Sequence, residues 1–575
     1  MALGLMPILA FAESLSAGSF AFLLVALGLA LAFEFVNGFH DTANAVATVI
    51  YTHSLPPWVA VIWSGLCNLT GVLISSGAVA YSIVALLPVE LVINVGSGAG
   101  FAMIFSLLIS AILWNLGTWY LGLPASSSHT LIGSILGVGL ANAVMAGHGM
   151  AAGLNWAQVR AVFTTLLVSP IVGFVAAGLL LLLLKWIVRQ PALFRPPPKD
   201  QPPPWWIRGT LMLTCTGVSL AHGSNDGQKG MGLLLLILIG VLPAEFALNM
   251  RAKPEDLRRL EAAAVRVQPM LDAHAGATGA DPSAGSSGQS GKGTIVTSAI
   301  SEKVGAGKSD PVQQPSETAG RNAAELSQYL ENGGTLSGNT FAAVAAANRD
   351  LIQTLQGTQS FAEVPPARRK TLRTDLYLVN QTLAKLAKTH QIQNPEERRA
   401  FEEYDKLLDK TTKYLPLWVK IAVAIALGFG TMIGWKRIVL TVGEKIGKEH
   451  LNYAQGASAE LVAMATIGAA DWYGMPVSTT HVLSSGVAGT MAANRSGLQM
   501  ATLRNVLMAW ILTLPVCVLL GAATFAAGLY IVFKQLVPQA AAVTLVFVLL
   551  LVAWRMWSWM RDRSRRPAMA ASEAA

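Results

Sequence analysis

The feature that most constrains this chain is a series of long apolar runs separated by short polar segments. A helix of about 20 apolar residues crosses the ~30 Å hydrocarbon layer of a bilayer. Only 13% of the residues are charged, about half of the usual share in soluble domains. The sequence therefore predicts an all-α polytopic membrane protein, located as a multi-pass protein in the cell's inner (plasma) membrane. The apolar runs cover residues 19–36, 58–87, 102–121, 131–146, 161–188, 205–220, 231–248, 415–433, 454–470, 482–493, 506–533 and 540–560.

The formal net charge of +9 does not indicate a nucleic-acid partner, because Lys and Arg gather at the ends of the apolar runs. Basic residues at membrane edges are typical of membrane proteins, where they set the orientation. All three cysteines lie inside apolar runs, which predicts no disulfide framework. The stretch GAGKS at 305–309 lacks the first Gly of a P-loop, since Glu302 stands there. We therefore expect no cofactor, and we expect membrane lipid as a partner.

Two motifs each occur twice, in the same order. NGFHDTANA (37–45) has a weak partner in HGSNDGQKG (222–230). GLPASSSHTL (122–131) has a closer partner in GMPVSTTHVL (474–483), with Gly, Pro, the hydroxyl triplet and His in register. Such internal similarity indicates that the second half of the chain is a copy of the first.

The spacing of the motifs locates an insertion in the second copy. From Asp41 to His129 is 88 residues, and from Asp226 to His481 is 255, an excess of 167. This excess is close to the length of a segment without apolar runs, residues 250–414, which we interpret as a soluble helical insert. The predicted domains are 1–249 (the first repeat and the start of the second), the insert with a linker at 270–320 and a helical module at 322–413, 415–533 (the rest of the second repeat), and 534–575 (an extra C-terminal transmembrane helix and a basic tail).

The hydroxyl motifs predict helix starts within the membrane. Pro cannot continue a helix from the residue before it, and Ser or Thr is typical of the first position of a new one. A helix N-terminus offers free N–H groups and a positive dipole end, which suit an anion. The same residues also serve as plain helix caps in bundles, but their register in both copies favours a site. We expect broken helices or re-entrant hairpins that form a cradle for a small oxyanion, with donors Ser126, Ser127, Ser128, Ser478, Thr479 and Thr480.

Asp41 and Asp226 lie at equivalent places in the two copies. A charged side chain at bilayer depth is costly and is usually functional. The alternative is a buried ion pair that serves packing, but two carboxylates at repeat-related places favour a cation or proton that travels with the anion. Two repeats, which we expect to be inverted, with polar breaks at matching places are typical of a secondary transporter.

The motifs NGFHDTANA, GLPASSSHTLIG, HGSNDGQKG and GMPVSTTHVLSS resemble the inorganic phosphate transporter (PiT) family, in particular its bacterial low-affinity Pit branch. The resemblance covers most of the chain from about 30 to 533. It implies that the Asp-Asn and hydroxyl motifs of both halves meet near the membrane middle and bind phosphate and the coupling cation. Besides the hydroxyl residues, the binding residues that it implies are Asp41, Asn44, Asn225 and Asp226, and Glu460 matches an acidic position before the second hairpin.

Sodium-coupled members of the family typically read N-D-x-A-N in both halves. Here His40 precedes Asp41, and Lys229 takes the place of the last Asn in the second half. Asn68 stands where many of those relatives carry Glu. An ammonium beside Asp226 can neutralise the carboxylate that sodium would otherwise occupy, and His titrates in the physiological range. These departures favour coupling to protons.

The resemblance to the bacterial branch implies import of phosphate as a neutral divalent metal–phosphate complex, in symport with protons. The expected coupling residues are His40, Asp41, Asp226, Lys229 and Glu460, and Asp41 and Asp226 would hold the metal if the complex is the substrate. The expected partners are thus phosphate, protons and divalent metal ions, and a homodimer is one assembly that the sequence leaves open.

Several alternatives remain at this point. An enzyme is disfavoured, because Ser128 and His129 are adjacent and would point about 100° apart on a helix, so they form no nucleophile–base pair. A channel or a structural membrane protein is disfavoured because broken helices around buried carboxylates suit a gated site. The nearest alternatives are a sulfate symporter and a sodium-coupled phosphate symporter of the same fold. Hydrogen phosphate retains a proton that a carboxylate can accept, whereas ionised sulfate has none, which favours phosphate.

Overall fold

The computed structural model describes residues 16–41, 43–87, 98–145, 154–198, 201–242, 246, 248–250, 252–277, 317–331, 334–389, 391–412 and 414–533. The run predicted at 540–560, with the rest of 534–575, and most of the predicted linker lie outside these residues.

Throughout the described residues the regular elements are helices, which confirms the all-α prediction. Up to residue 241 the helices are α1 (Ala17–Asp41), α2 (Ala43–Tyr51), α3 (Pro57–Ile74), α4 (Ala78–Val84), α5 (Gly98–Tyr120), α6 (Ser127–Met145), α7 (Trp156–Ile187) and α8 (Trp205–Val241). They are followed by α9 (Pro254–Ala277), α10 (Glu317–Glu331), α11 (Thr340–Leu355), α12 (Pro366–Lys388), α13 (Pro395–Thr412), α14 (Leu417–Met432), α15 (Lys436–Leu440), α16 (Tyr453–Trp472), α17 (Thr479–Asn494) and α18 (Met500–Phe533). By its contacts the chain divides after Phe525, and the described residues beyond that point are the end of α18.

Several helices have the length and composition of membrane spans. Within the described ranges, six are long and apolar enough to cross a membrane, or seven if the bent pair α13 and α14 is counted as one span. Their outward faces carry large apolar side chains: Leu167, Ile171, Val175 and Leu179 of α7 are all about half exposed. Such a surface is typical of helices that face lipid. The prediction of a polytopic membrane protein is therefore confirmed.

Helix α8 differs from the prediction, because it runs without a break through HGSNDGQKG and joins the runs predicted at 205–220 and 231–248. The glycines of this motif have another role. A Cβ atom at Gly223 would lie 2.7 Å from Asn68 Cα, and one at Gly230 would lie 2.6 Å from Glu34 Oε1. Both distances are far below van der Waals contact. The glycines therefore let α3 and α1 approach α8 closely, and they do not interrupt the helix.

The helices between α8 and α14 pack around a core of their own, which includes Leu260, Leu351, Leu376 and Phe401. Helix α9 continues to Ala277 and so extends into the predicted linker. Composition alone missed this helical turn, because its Ala and Gly resemble the residues of the linker that follows. The two ends of the segment lie together, since the N–H of Asn249 donates to the carbonyl of Thr411 at 3.1 Å.

Asp375 makes the stability of this helical segment depend on pH. Burial is the main cause that raises the pKa of Asp375 to about 7; the nearby Asp350 contributes to the shift and Arg368 opposes it. An unfolded Asp titrates near 3.9, so the folded form holds more protons between about pH 4 and 7 and loses stability as pH rises through this window. We expect amide hydrogens of α12, corrected for intrinsic exchange rates, to be less protected at about pH 8 than at about pH 5. Asp375→Asn should remove the difference, and equal protection of the wild type at both values would contradict this assignment.

Candidate functional site

Two hairpins of the same local structure lead into the hydroxyl motifs. Gly122 follows α5 with φ +67° and Gly474 follows α16 with φ +66°, a left-handed conformation that Gly adopts without strain. In both hairpins the N–H groups of the glycine and of the next residue donate to carbonyls of the preceding helix end, at 2.8 to 3.0 Å. This is the Schellman arrangement that ends helices.

The hydroxyl triplets begin the helices that follow. Ser126 Oγ accepts the N–H of His129 at 3.2 Å at the start of α6, and Ser478 Oγ accepts the N–H of His481 at 3.2 Å at the start of α17. The first hydroxyl of each triplet is thus a helix cap, and the next two lie in the first turn or at its edge. The helix starts that Pro and the hydroxyls predict are present in both motifs.

The two helix starts face each other. The imidazole centroids of His129 and His481 are 4.6 Å apart, and Ser128 Oγ donates to the carbonyl of Val477 at 2.8 Å. All the triplet side chains are buried. Two positive helix ends therefore meet at one place inside the protein, which is favourable for negative charge.

Asp41 lies between these helix starts at the end of α1. Its carboxylate accepts hydrogen bonds from Thr480 Oγ1 at 2.5 Å and from Ser127 Oγ at 3.3 Å, one hydroxyl from each triplet. His40 Nδ1 lies 3.2 Å from Asp41 Oδ1, and its Nε2 lies 3.1 Å from Thr118 Oγ1. Asp41 is 2% exposed, so protein groups replace water around its carboxylate.

Asp226 occupies the middle of α8 together with Lys229, one turn away. Lys229 Nζ lies 2.8 Å from Asp226 Oδ1 and donates to Ser128 Oγ at 2.5 Å. Both charged residues are fully buried. The ammonium group of Lys229 is held by the carboxylate and the hydroxyl inside the protein, so it does not reach the membrane surface. Side chains three residues apart on a helix are neighbours, and the contact expected between Asp226 and Lys229 is present.

His222, a residue that the sequence motifs did not indicate, joins the two carboxylates. Its Nε2 lies 3.5 Å from Asp226 Oδ2 and 3.9 Å from Asp41 Oδ2. Its Nδ1 lies 2.9 Å from Asn68 Oδ1, while Asn68 Nδ2 donates to Thr431. With Asn68 oriented in this way, Nδ1 is the donor and Nε2 is left facing two carboxylates, where it can hold a proton or a metal ion. The available signal was the i,i+4 spacing of His222 and Asp226, which is meaningful only if HGSNDGQKG is helical.

The remaining predicted residues are distributed as follows. Asn225 holds the second hairpin, because its Nδ2 donates to the carbonyl of Met475 at 3.2 Å, and Thr479 is buried in the first turn of α17. The side chain of Asn44 lies outside the described residues. Glu460 is buried on α16 and accepts a hydrogen bond from Thr214, which is about 18 Å along α8 from Asp226. The structure therefore does not bring Glu460 to the two aspartates.

The cluster offers two kinds of binding. One ligand atom each from Asp41, His222 and Asp226 lie within 4.8 Å of one another, a donor set of carboxylate oxygens and imidazole that suits a divalent cation. The hydroxyls and helix N-termini beside them suit an oxyanion. A metal ion and an anion can therefore be held next to each other.

The chain is similar to several known proteins. A model of the phosphate transporter family matches residues 37–521. The low-affinity inorganic phosphate transporters PitB and PitA of Escherichia coli K12 are 41% and 42% identical to this chain, covering 90% and 87% of it and 97% and 95% of their own lengths. A low-affinity inorganic phosphate transporter of Buchnera aphidicola is 38% identical, over 88% of this chain and 96% of its own. Among solved structures, a sodium-dependent phosphate transporter aligns with a TM-score of 0.44 and 18% identity, over 88% of this chain and 98% of its own.

The family match spans both pairs of motifs and confirms the resemblance that the sequence showed. It also confirms the expected multi-pass location in the inner membrane. The chain therefore belongs to the phosphate transporter family, a family of membrane carriers and not of enzymes.

Proposed function

We propose that this chain imports inorganic phosphate in symport with protons, and that phosphate travels as a neutral complex with a divalent metal ion. One observation carries the proposal: Asp41 and Asp226 and both hydroxyl helix starts converge in a single buried cluster. Relatives that are 38–42% identical over most of their length are named as low-affinity inorganic phosphate transporters, which supports phosphate as the substrate.

The anion side of the proposed site is formed by the helix starts. Ser127 and Thr480 donate their hydroxyls to Asp41, and Ser128 donates to the carbonyl of Val477 while it accepts from Lys229. These hydroxyls can turn to phosphate oxygens when the substrate enters. Hydrogen phosphate can also donate its own proton to a carboxylate, whereas sulfate cannot. The proposed substrate-binding set is Asp41, Asn44, Ser126, Ser127, Ser128, Asn225, Asp226, Ser478, Thr479 and Thr480.

The cation side is formed by Asp41 and Asp226, to which the geometry adds His222. The two carboxylates would attract a divalent metal, and its two positive charges would balance the two negative charges of a hydrogen phosphate held beside it. A neutral complex crosses the low-dielectric interior at lower cost than either ion alone. The metal is in this proposal part of the cargo, and it is not a resident cofactor.

Proton coupling is supported by the residues that replace sodium ligands. Lys229 places an ammonium 2.8 Å from Asp226, where it takes the place of a monovalent cation. His40 and His222 lie against the aspartates, where an imidazole can pass a proton to or from a carboxylate. The proposed coupling residues are His40, Asp41, Asp226 and Lys229 in the cluster, and Glu460 outside it on α16. The alternatives are a sodium-coupled phosphate carrier and a sulfate carrier of the same fold. A homodimer is compatible with the proposed function and with both alternatives.

Uptake into proteoliposomes tests the substrate. With an inside-alkaline pH gradient and Mg²⁺ present, we expect labelled phosphate to accumulate and labelled sulfate to stay outside. A tenfold excess of sulfate should leave phosphate uptake unchanged. Sulfate transport at a similar rate would overturn the assignment of phosphate, and undiminished phosphate uptake after chelation with EDTA would overturn the metal complex.

We expect the segment 250–414 to be dispensable for transport. Its ends are joined by the Asn249–Thr411 hydrogen bond, and the described part of the segment contributes none of the cluster residues. A short Gly/Ser link between Met250 and Leu415 should therefore preserve phosphate uptake, as is usual for an insertion with adjacent ends. A chain that inserts correctly and still fails to move phosphate would show that the segment is a gate or a regulator.

A further inference from the structure

Glu34 is a buried acid that the proposed phosphate site does not use. It lies on α1 seven residues before Asp41, which places it about 10 Å along the helix axis from that residue and on the same face. Glu34 is 0% exposed. Its Oε2 accepts a hydrogen bond from Asn37 Nδ2 at 3.4 Å, and its Oε1 has no hydrogen-bond partner among the described residues.

The packing of α8 leaves a space that this carboxyl fills. A Cβ atom at Gly230 would lie 2.6 Å from Glu34 Oε1, so any residue other than Gly at position 230 would collide with the carboxyl. Gly230 directly follows Lys229. The carboxyl therefore lies against the turn of α8 that carries Lys229 and Asp226.

The charged and titratable groups that act electrostatically on Glu34 are Lys229, Asp226 and His222, all on α8. The only buried ammonium among them, Lys229, is held by Asp226 at 2.8 Å and by Ser128 at 2.5 Å. A negative charge on Glu34 would have neither water nor a donor at Oε1, and it would compete with Asp226 for Lys229. A proton on the carboxyl removes both the unsolvated charge and the competition.

We propose that Glu34 is the group that binds and releases the transported proton. The proposal rests on the proposed function and specifies its coupling site. With an O–H bond formed on Glu34, Lys229 stays at Ser128 and Asp226, where its positive charge supports phosphate binding. When that bond breaks and the proton leaves to solvent, the carboxylate draws Lys229 away, and the phosphate site loses its cation.

This competition makes proton and phosphate binding mutually dependent. By linkage, the factor by which a proton on Glu34 raises phosphate affinity equals the factor by which phosphate raises proton affinity. Symport requires such a dependence, because the carrier should change orientation either fully loaded or empty. Lys229 is then a positioning residue between the two sites.

Glu34→Gln tests the proposal, since the amide imitates the protonated acid permanently. In proteoliposomes we expect accumulation driven by a pH gradient, and the proton uptake that accompanies it, to fall at least about tenfold, as expected for a lost coupling of ordinary size. Exchange of external labelled phosphate for internal phosphate needs no net proton release and should continue near the wild-type rate. Retained exchange also shows that the variant is folded.

Gly230→Ala provides a second variant, because its methyl group must displace the Glu34 carboxyl. We expect it to shift the pH dependence of net uptake while exchange continues. Gly209→Ala is the matched control on the same helix, since a Cβ there meets nothing within 4 Å, and it should behave like the wild type.

The outcomes separate the two proposals. Normal gradient-driven uptake by Glu34→Gln would overturn the role of Glu34. Loss of exchange together with uptake would also overturn it, because Glu34 would then be needed for binding or folding. An unshifted pH dependence in Gly230→Ala would count against it as well. If the wild type itself ignores the pH gradient, the proposed proton symport fails first.

Discussion

Asp41→Asn and Asp226→Asn are each expected to abolish phosphate uptake while the protein remains folded in the membrane. Asn keeps the shape of the side chain and removes its charge. At Asp41, the amide can accept only one of the two hydroxyl bonds that come from Thr480 and Ser127, and it supplies no negative charge for a metal or proton. Uptake of labelled phosphate and the elution profile of the purified variants are the measurements.

Asp226→Asn needs an additional control, because it leaves Lys229 unpaired. An unpaired buried charge destabilises a protein by roughly 3–5 kcal/mol. The double variant Asp226→Asn/Lys229→Gln removes both charges, and we expect it to fold and to remain inactive. Asp272→Asn, which breaks an exposed ion pair with Arg349, should transport normally, since such pairs contribute little. Near-normal uptake by either single variant would show that its carboxylate is structural.

Lys229→Asn is expected to lose uptake in sodium-free buffer and to regain part of it as sodium is added. The substitution restores the residue that sodium-coupled members carry at this place, and it leaves a carboxylate next to a space of cation size. Lys229 is fully buried and pairs with Asp226 at 2.8 Å. Its removal leaves Asp226 buried without a counter-ion, which destabilises the protein by roughly 3–5 kcal/mol. Sodium that binds beside Asp226 would recover part of this energy.

Phosphate uptake measured across a series of sodium concentrations distinguishes the outcomes. The control is Lys436→Asn, at an exposed lysine near the ring of Trp435, which should show wild-type rates. If Lys229→Asn takes up phosphate at the wild-type rate and without dependence on sodium, Lys229 does not support proton coupling.

Much of the fold could be predicted because membrane helices are encoded locally. The apolar runs predicted the membrane helices, and Pro124 and Pro476 with their hydroxyl triplets predicted the helix starts at Ser127 and Thr479. The repeat itself, and the inverted arrangement expected for it, remain predictions.

The continuous α8 could not be predicted from its own residues. Glycines in HGSNDGQKG are compatible with a break or with close packing, and the choice depends on Asn68 and Glu34, which lie on other helices. The same dependence hid His222, whose contacts with Asp41 and Asp226 require both a helical motif and the approach of α1. Glu460, which matches an acidic position of the family before the second hairpin, accepts a hydrogen bond from Thr214, and its expected role in coupling stays a prediction.

The measurement that tests the central claim most directly is phosphate accumulation under separately imposed gradients. Purified protein in proteoliposomes receives labelled phosphate and Mg²⁺ with either an inward proton gradient or an inward sodium gradient. Proton-coupled symport predicts accumulation with the proton gradient in the absence of sodium, and loss of accumulation when an ionophore collapses that gradient. Uptake that requires sodium and persists after the pH gradient has collapsed would contradict it.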